Sequence, residues 1–184
     1  MLLQTPICEF GQKAHDFELK STENKNLSLS DIKGENGTLI MFISNHCPYV
    51  KAITKDMVED CNELKKIGIN SVAICANDPT NYPEDSFENM ILFSKKHQFS
   101  FPYLVDETQN IAKTYDAVCT PDFFGYNKNL ELQYRGRMRE LRNLVPVRDG
   151  KSDLLIAMKE IATTGKGPKN QIPSAGCSIK WINN

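Results

Sequence analysis

Six cysteines are the residues of this 184-residue chain best suited to chemistry: Cys8, Cys47, Cys61, Cys75, Cys119 and Cys177. No pair is spaced C-x-x-C and no interval fits a zinc knuckle, so neither a metal site nor a cofactor is expected. A cysteine reacts as its thiolate, and its surroundings separate a nucleophile from a buried small hydrophobe. Cys47 is set apart by that criterion. It follows the apolar run Thr38-Leu-Ile-Met-Phe-Ile-Ser44 and precedes Pro48, after which Val50, Ile53, Met57, Cys61 and Leu64 recur at helical spacing. A thiol between the carboxyl end of a strand and the start of a helix meets unpaired N–H groups and the positive end of the helix dipole. Both favour a thiolate. Pro48 suits a first helical turn, where its missing N–H costs nothing. Position alone leaves a reactive cysteine and a packing cysteine both open. His46 could add positive charge, although adjacent side chains usually point apart. Cys61 on the helix stripe, Cys75 at a strand end and Cys8 near the terminus read as packing.

The elements that must position Cys47 follow from the hydrophobic pattern. Strands and helices alternate, the mark of an α/β fold with a partly parallel sheet. The run 38–44 reads as a strand buried on both faces, followed by a helix from Pro48 to Ile67 and a strand over Ile69–Cys75. A polar loop to Asp85 leads to a helix over Ser86–His97, a strand over Phe101–Asp106 and a helix over Thr108–Ala117. Val118–Tyr126 and Leu130–Arg135 pair through the turn Asn127-Lys-Asn129, and a last helix covers Asp153–Thr163. Gly165-Lys-Gly-Pro168 reads as a hinge. The organisation expected is a domain over residues 1–164 and a tail over 165–184 docked on it through Cys177, Ile179 and Trp181. Arg135, Arg137, Arg139 and Arg142 read as a solvated charged face, with anion binding as the alternative.

Lysine plus arginine number 22 against 23 acidic residues, a formal net charge of −1, which gives no electrostatic footprint for nucleic acid. No apolar run reaches the ~20 residues of a membrane helix. The opening residues lack the basic n-region of a secretion signal, so a soluble, cytoplasmic protein is expected, its oligomeric state left open.

Four motifs carry a resemblance. Gly11-Gln-Lys-Ala-His-Asp-Phe-Glu-Leu19 is similar to the G-x-x-A-P-D-F-x-L opening of redoxins, with His15 in place of the proline. Asn45-His-Cys-Pro-Tyr-Val-Lys-Ala-Ile53, Cys119-Thr-Pro-Asp-Phe-Phe124 and the tail Pro173–Trp181 resemble the peroxiredoxin-like, AhpC/TSA-related group of thioredoxin-family proteins. The resemblance implies a thioredoxin-like fold with an N-terminal redoxin extension and a C-terminal tail. It makes Cys47 the attacking cysteine and puts Val50 where a resolving cysteine would stand. Pro121 becomes a cis-proline facing the site, and Thr120 the residue whose backbone binds an extended disulfide; His46, Pro48 and Tyr49 border the substrate. The ordinary peroxidatic motif is absent, Ile40 standing where its proline should be. Cys119, Cys177 or an external thiol such as glutathione is left to resolve Cys47. The activity implied is that of a thiol-dependent, antioxidant-type oxidoreductase acting on disulfides or hydroperoxides with an external thiol reductant. The alternative is a non-catalytic binding or redox-sensing module.

Overall fold

The apolar run around residue 40 becomes the middle of a mixed sheet in the computed structural model, which describes residues 2–182. The first half of the chain contains β1 (Leu2–Gln4), β2 (Glu18–Ser21), β3 (Asn26–Ser28), α1 (Leu29–Ile32), β4 (Gly37–Phe42), α2 (Pro48–Lys65) and β5 (Ile69–Cys75). The second contains α3 (Phe87–Lys96), β6 (Tyr103–Val105), α4 (Asn110–Thr114), β7 (Cys119–Thr120), β8 (Asp122–Asn127) and β9 (Leu132–Tyr134). It ends with β10 (Leu141–Arg142), β11 (Val145–Pro146), α5 (Asp153–Thr164) and β12 (Ala175–Ser178). Seven strands form the main sheet in the order β3-β2-β6-β5-β4-β8-β9, with β4 parallel to β5 and antiparallel to β8.

Every residue of β4 is buried because helices cover both sheet faces. Leu39 and Met41 join the apolar stripe of α2 (Val50, Ile53, Met57, Leu64) and the inner face of α5. Ile40 and Phe42 alternate to the other face, against Leu29 and Ile32 of α1 and Tyr115 and Phe124. Each fully buried side chain of this kind contributes roughly 1.5–3 kcal/mol, and together they fix where β4 ends and α2 begins. This is a mixed α/β fold of the thioredoxin-like kind.

Four features differ from the sequence reading. The stretch Val118–Tyr126 is not one strand: Pro121, which follows a cis bond as the resemblance implies and has no N–H to donate, separates β7 from β8. The helix expected over 108–117 shrinks to α4 because Gln109 adopts a left-handed conformation, φ 62°, that aims its amide at the tail. The glycine-rich hinge is seated: Gly165, φ 74°, caps α5, and a Cβ on Gly167 would fall 2.0 Å from the Gln133 carbonyl oxygen. The arginines are a solvated face only in part, Arg142 being exposed. Arg135 is buried on Asp122 at 3.0 Å and lies over the Phe124 ring, while Arg139 and Arg148 converge on buried Asp56 at 3.3 and 3.1 Å.

The tail forms β12, the centre of a second sheet of order β1-β12-β7. Cys177 pairs with Leu2 on one side and with Thr120 on the other. Ile179 is the tail's buried apolar anchor; Trp181 stays 39% exposed beneath the Lys113 ammonium.

Candidate active site

Cys47 is the N-cap residue of α2, with Pro48 as the first helical residue, so the thiol is held at the helix amino terminus by the burial of Val50 and Ile53 one turn on. Its sulfur is wholly buried and donates to the Thr120 carbonyl oxygen at 3.1 Å. The Ser44 and Thr120 hydroxyls, 3.2 Å apart, tie the end of β4 to the same residue. β12 lies across this contact, its Cys177 in register with Thr120. Cys177, half-buried, lies beside this contact, and its thiol is pushed up to about 11, first by burial and then by the neighbouring Cys47, with Lys180 opposing. Both sulfurs are free thiols. Cys47 at the helix start and Cys177 on β12 are thus brought to the same residue, Thr120, by the fold rather than by a C-x-x-C spacing.

Gly176 makes the close approach possible. A Cβ there would fall 2.0 Å from the Thr120 carbonyl oxygen, so only glycine lets β12 sit this near β7. The Ser174 hydroxyl donates to the Pro121 carbonyl at 2.7 Å, and Thr5 and Ser174 exchange hydrogen bonds, closing the strand at its start. Beyond Cys177, the Lys180 amide donates to Asn77 Oδ1 at 2.8 Å and its carbonyl accepts from Gln109 Nε2 at 2.9 Å.

The loop between β5 and α3 also holds His46. Asp85, its side chain fully buried, accepts through Oδ1 from the Asn45 amide at 2.6 Å and the His46 amide at 3.3 Å. Oδ2 contacts His46 Nδ1 at 2.5 Å and accepts from Asn77 Nδ2 at 2.8 Å. Such a saturated set of acceptors is what lets a carboxylate stay inside the protein. His46 stacks on Tyr82 at 5.0 Å between ring centroids and is turned toward the loop rather than folded into the core. Pro48 is exposed, while Tyr49 shares a shallow cleft with Pro121, Arg137 and Ser174.

Cys119 lies on β7 but is fully buried; its thiol contacts the Pro121 carbonyl oxygen at 3.7 Å, and burial and the nearby Asp122 push it far upward. Cys61 and Cys75, pushed up to about 12 by burial, belong to the core, and half-buried Cys8, at about 11, lies beside Arg135 and Gln171. Among the described residues no group of three or more His, Cys, Asp or Glu is arranged to hold a metal ion, and no helix is long and apolar enough to cross a membrane. Asp85, Ser174, Gly176 and Lys180 were not singled out by sequence. Asp85 sits 38 residues past Cys47 in a loop of ordinary turn composition, and nothing local marks it; Gly176, next to Cys177, was the one available signal.

Comparison with known proteins matches the AhpC/TSA family model to residues 10–140. Peroxiredoxin Bcp of Bacillus subtilis is 24% identical over 160 residues, covering 84% of this chain and 97% of that protein. The thiol-disulfide oxidoreductase ResA of Halalkalibacterium halodurans is 25% identical over 126 residues, 68% of this chain and 67% of its own length. Among solved structures, a conserved protein of Geobacillus kaustophilus superposes with a TM-score of 0.94 at 37% identity, covering 100% of this chain and 98% of its own.

Proposed function

The chain belongs to the AhpC/TSA family of thioredoxin-fold redoxins, and on that premise we propose that it is a two-cysteine thiol oxidoreductase whose working pair is Cys47 and Cys177. The observation that carries this reading is the register of β12, which sets Cys177 opposite Thr120, the residue whose carbonyl oxygen accepts from the Cys47 thiol. Cys47, as thiolate, attacks one sulfur of a disulfide substrate; the other substrate sulfur leaves as a thiolate, and a mixed disulfide forms on Cys47. Cys177, losing its proton, then attacks the Cys47 sulfur and expels the second substrate thiolate. The product is a Cys47–Cys177 disulfide and a substrate reduced by two electrons. With a hydroperoxide, Cys47 takes the terminal oxygen as a sulfenic acid, an alcohol leaves, and condensation with Cys177 releases water. An external thiol reductant restores the pair.

Thr120, Pro121, Pro48, Tyr49 and His46 border the path to Cys47 once β12 lifts. Cys119 fits resolution less well, because its sulfur is turned to the Pro121 carbonyl inside the protein. Complete burial of Cys47 favours a second reading, a redoxin-fold sensing or binding module without turnover. Reaction of single variants with oxidised glutathione separates these. Cys177→Ser is expected to accumulate glutathione on Cys47 without releasing it, and Cys47→Ser to lose all turnover. Turnover unchanged in Cys177→Ser contradicts the pair, and an inert Cys47 in wild type and variant favours the module.

A further inference from the structure

We infer that Asn77 and Gln109 are positioning residues for the second step, gripping the chain just beyond Cys177 so that its thiol stays beside Cys47. This rests on the Cys47–Cys177 reading and goes beyond it by naming the side chains that hold the resolving thiol in place. β12 needs such a grip. Its neighbours are β7, two residues long, and the three-residue β1, and only Cys177 and Ser178 pair with β7. Ladders this short hold little on their own. Thr5 and Ser174 close the strand at its start, and the question is what closes it past Cys177.

Two buried side-chain amides close on the tail there from different elements. Asn77, after β5, accepts through Oδ1 from the Lys180 amide at 2.8 Å, and its Nδ2 donates to Asp85 Oδ2 at 2.8 Å. Asp85 Oδ1 accepts in turn from the Asn45 amide at 2.6 Å, two residues before Cys47. One side chain thus joins the tail to the segment that delivers the nucleophile. Gln109, before α4, donates from Nε2 to the Lys180 carbonyl at 2.9 Å and the Ala76 carbonyl at 2.6 Å, and its Oε1 accepts from the Ile182 amide at 2.9 Å. It does so from a left-handed backbone, φ 62°, which is uncommon for a residue with a side chain. The Asp78 amide adds a bond of 2.8 Å to the same Lys180 carbonyl.

Position decides the rate of resolution. Cys177 keeps its proton at neutral pH, so it resolves a mixed disulfide only where it is held at its target. A thiol on a loose tail meets its target at an effective concentration on the order of millimolar, and a held one far above that. The same grip keeps β12 across Cys47, which is wholly buried, and so slows the first step. Loosening it has opposite effects on the two steps: Cys47 becomes easier to reach, and Cys177 is slower to follow.

The test uses the full reduced chain and oxidised glutathione, both steps being followed by acid quench and mass spectrometry. In the first step Cys47 bonds to one glutathione and the other leaves as a thiolate. In the second Cys177 loses its proton, bonds to Cys47 and expels the remaining glutathione as a thiolate. Asn77→Ala and Gln109→Gly, the latter suited to the left-handed backbone, are each expected to speed the first step severalfold and to slow the second by about threefold to tenfold. The glutathione adduct on Cys47 then accumulates before the Cys47–Cys177 disulfide forms. Leu29→Ala, in the core at α1, destabilises the fold without touching the tail and is expected to leave the second step unchanged. An unchanged second step in either tail variant, or equal slowing in Leu29→Ala, overturns the inference and leaves the cysteine pair standing. Failure of wild type to form the Cys47–Cys177 disulfide removes the pair, and the inference with it.

Discussion

Cys177 and Asp85 show how much of the chemistry is set by single neighbours. Burial and Cys47 hold the Cys177 thiol at about 11, so at neutral pH it keeps its proton and its reactive fraction grows with alkalinity. Below such a value the thiolate fraction rises about tenfold per pH unit, and alkylation of Cys177 by iodoacetamide is expected to rise accordingly between pH 7 and 10. A plateau near pH 8.5 would show an ordinary exposed thiol instead. Resolution of Cys47 should speed up over the same range. Asp85 takes four hydrogen bonds from Asn45, His46 and Asn77 with its side chain fully buried. Asp85→Asn places an amide against donors and is expected to cost about 2–4 kcal/mol in urea unfolding, with His46 released from its position. A change below 0.5 kcal/mol, at the level of an ordinary surface substitution, would contradict that role.

At the scale of elements, what is local in sequence was legible and what is brought together from afar was not. The unbroken apolar run of β4 and the stripe of α2 marked the strand, the helix and the position of Cys47 at their junction, because a strand buried on both faces is apolar throughout and a helix on a sheet repeats every three or four residues. The division of 118–126 into β7 and β8 could be read only from Pro121, and the short α4 only from the left-handed Gln109, which answers a tail 71 residues away. Cys177 could be named as a candidate, but its register opposite Thr120 depends on pairing between chain segments more than fifty residues apart. The Arg135–Asp122 pair was missed for a similar reason, since a charge run looks the same whether solvated or buried. The element that governs access is β12, and Gly176 is its tightest point against β7. Gly176→Ala is expected to loosen β12 and raise alkylation of Cys47 in the reduced protein at least severalfold while α2 and the main sheet stay folded. Unchanged Cys47 protection with unchanged circular dichroism would show that β12 is not the cover.

The molecule as a whole is closed over Cys47. The N-terminal strand, the tail strand and the β7 edge form one small sheet over Cys47, and the loop after β5 fastens both His46 and the residues beyond Cys177. This arrangement places the second thiol on a strand outside the helix that carries the first, so the couple depends on the whole fold being assembled. Brief exposure of the reduced full-length chain to one equivalent of hydroperoxide or oxidised glutathione, followed by peptide mapping, tests that claim most directly. A Cys47–Cys177 linkage as the dominant product is expected; a Cys47–Cys119 linkage, or Cys47 persisting as a free thiol while oxidant remains, would contradict it.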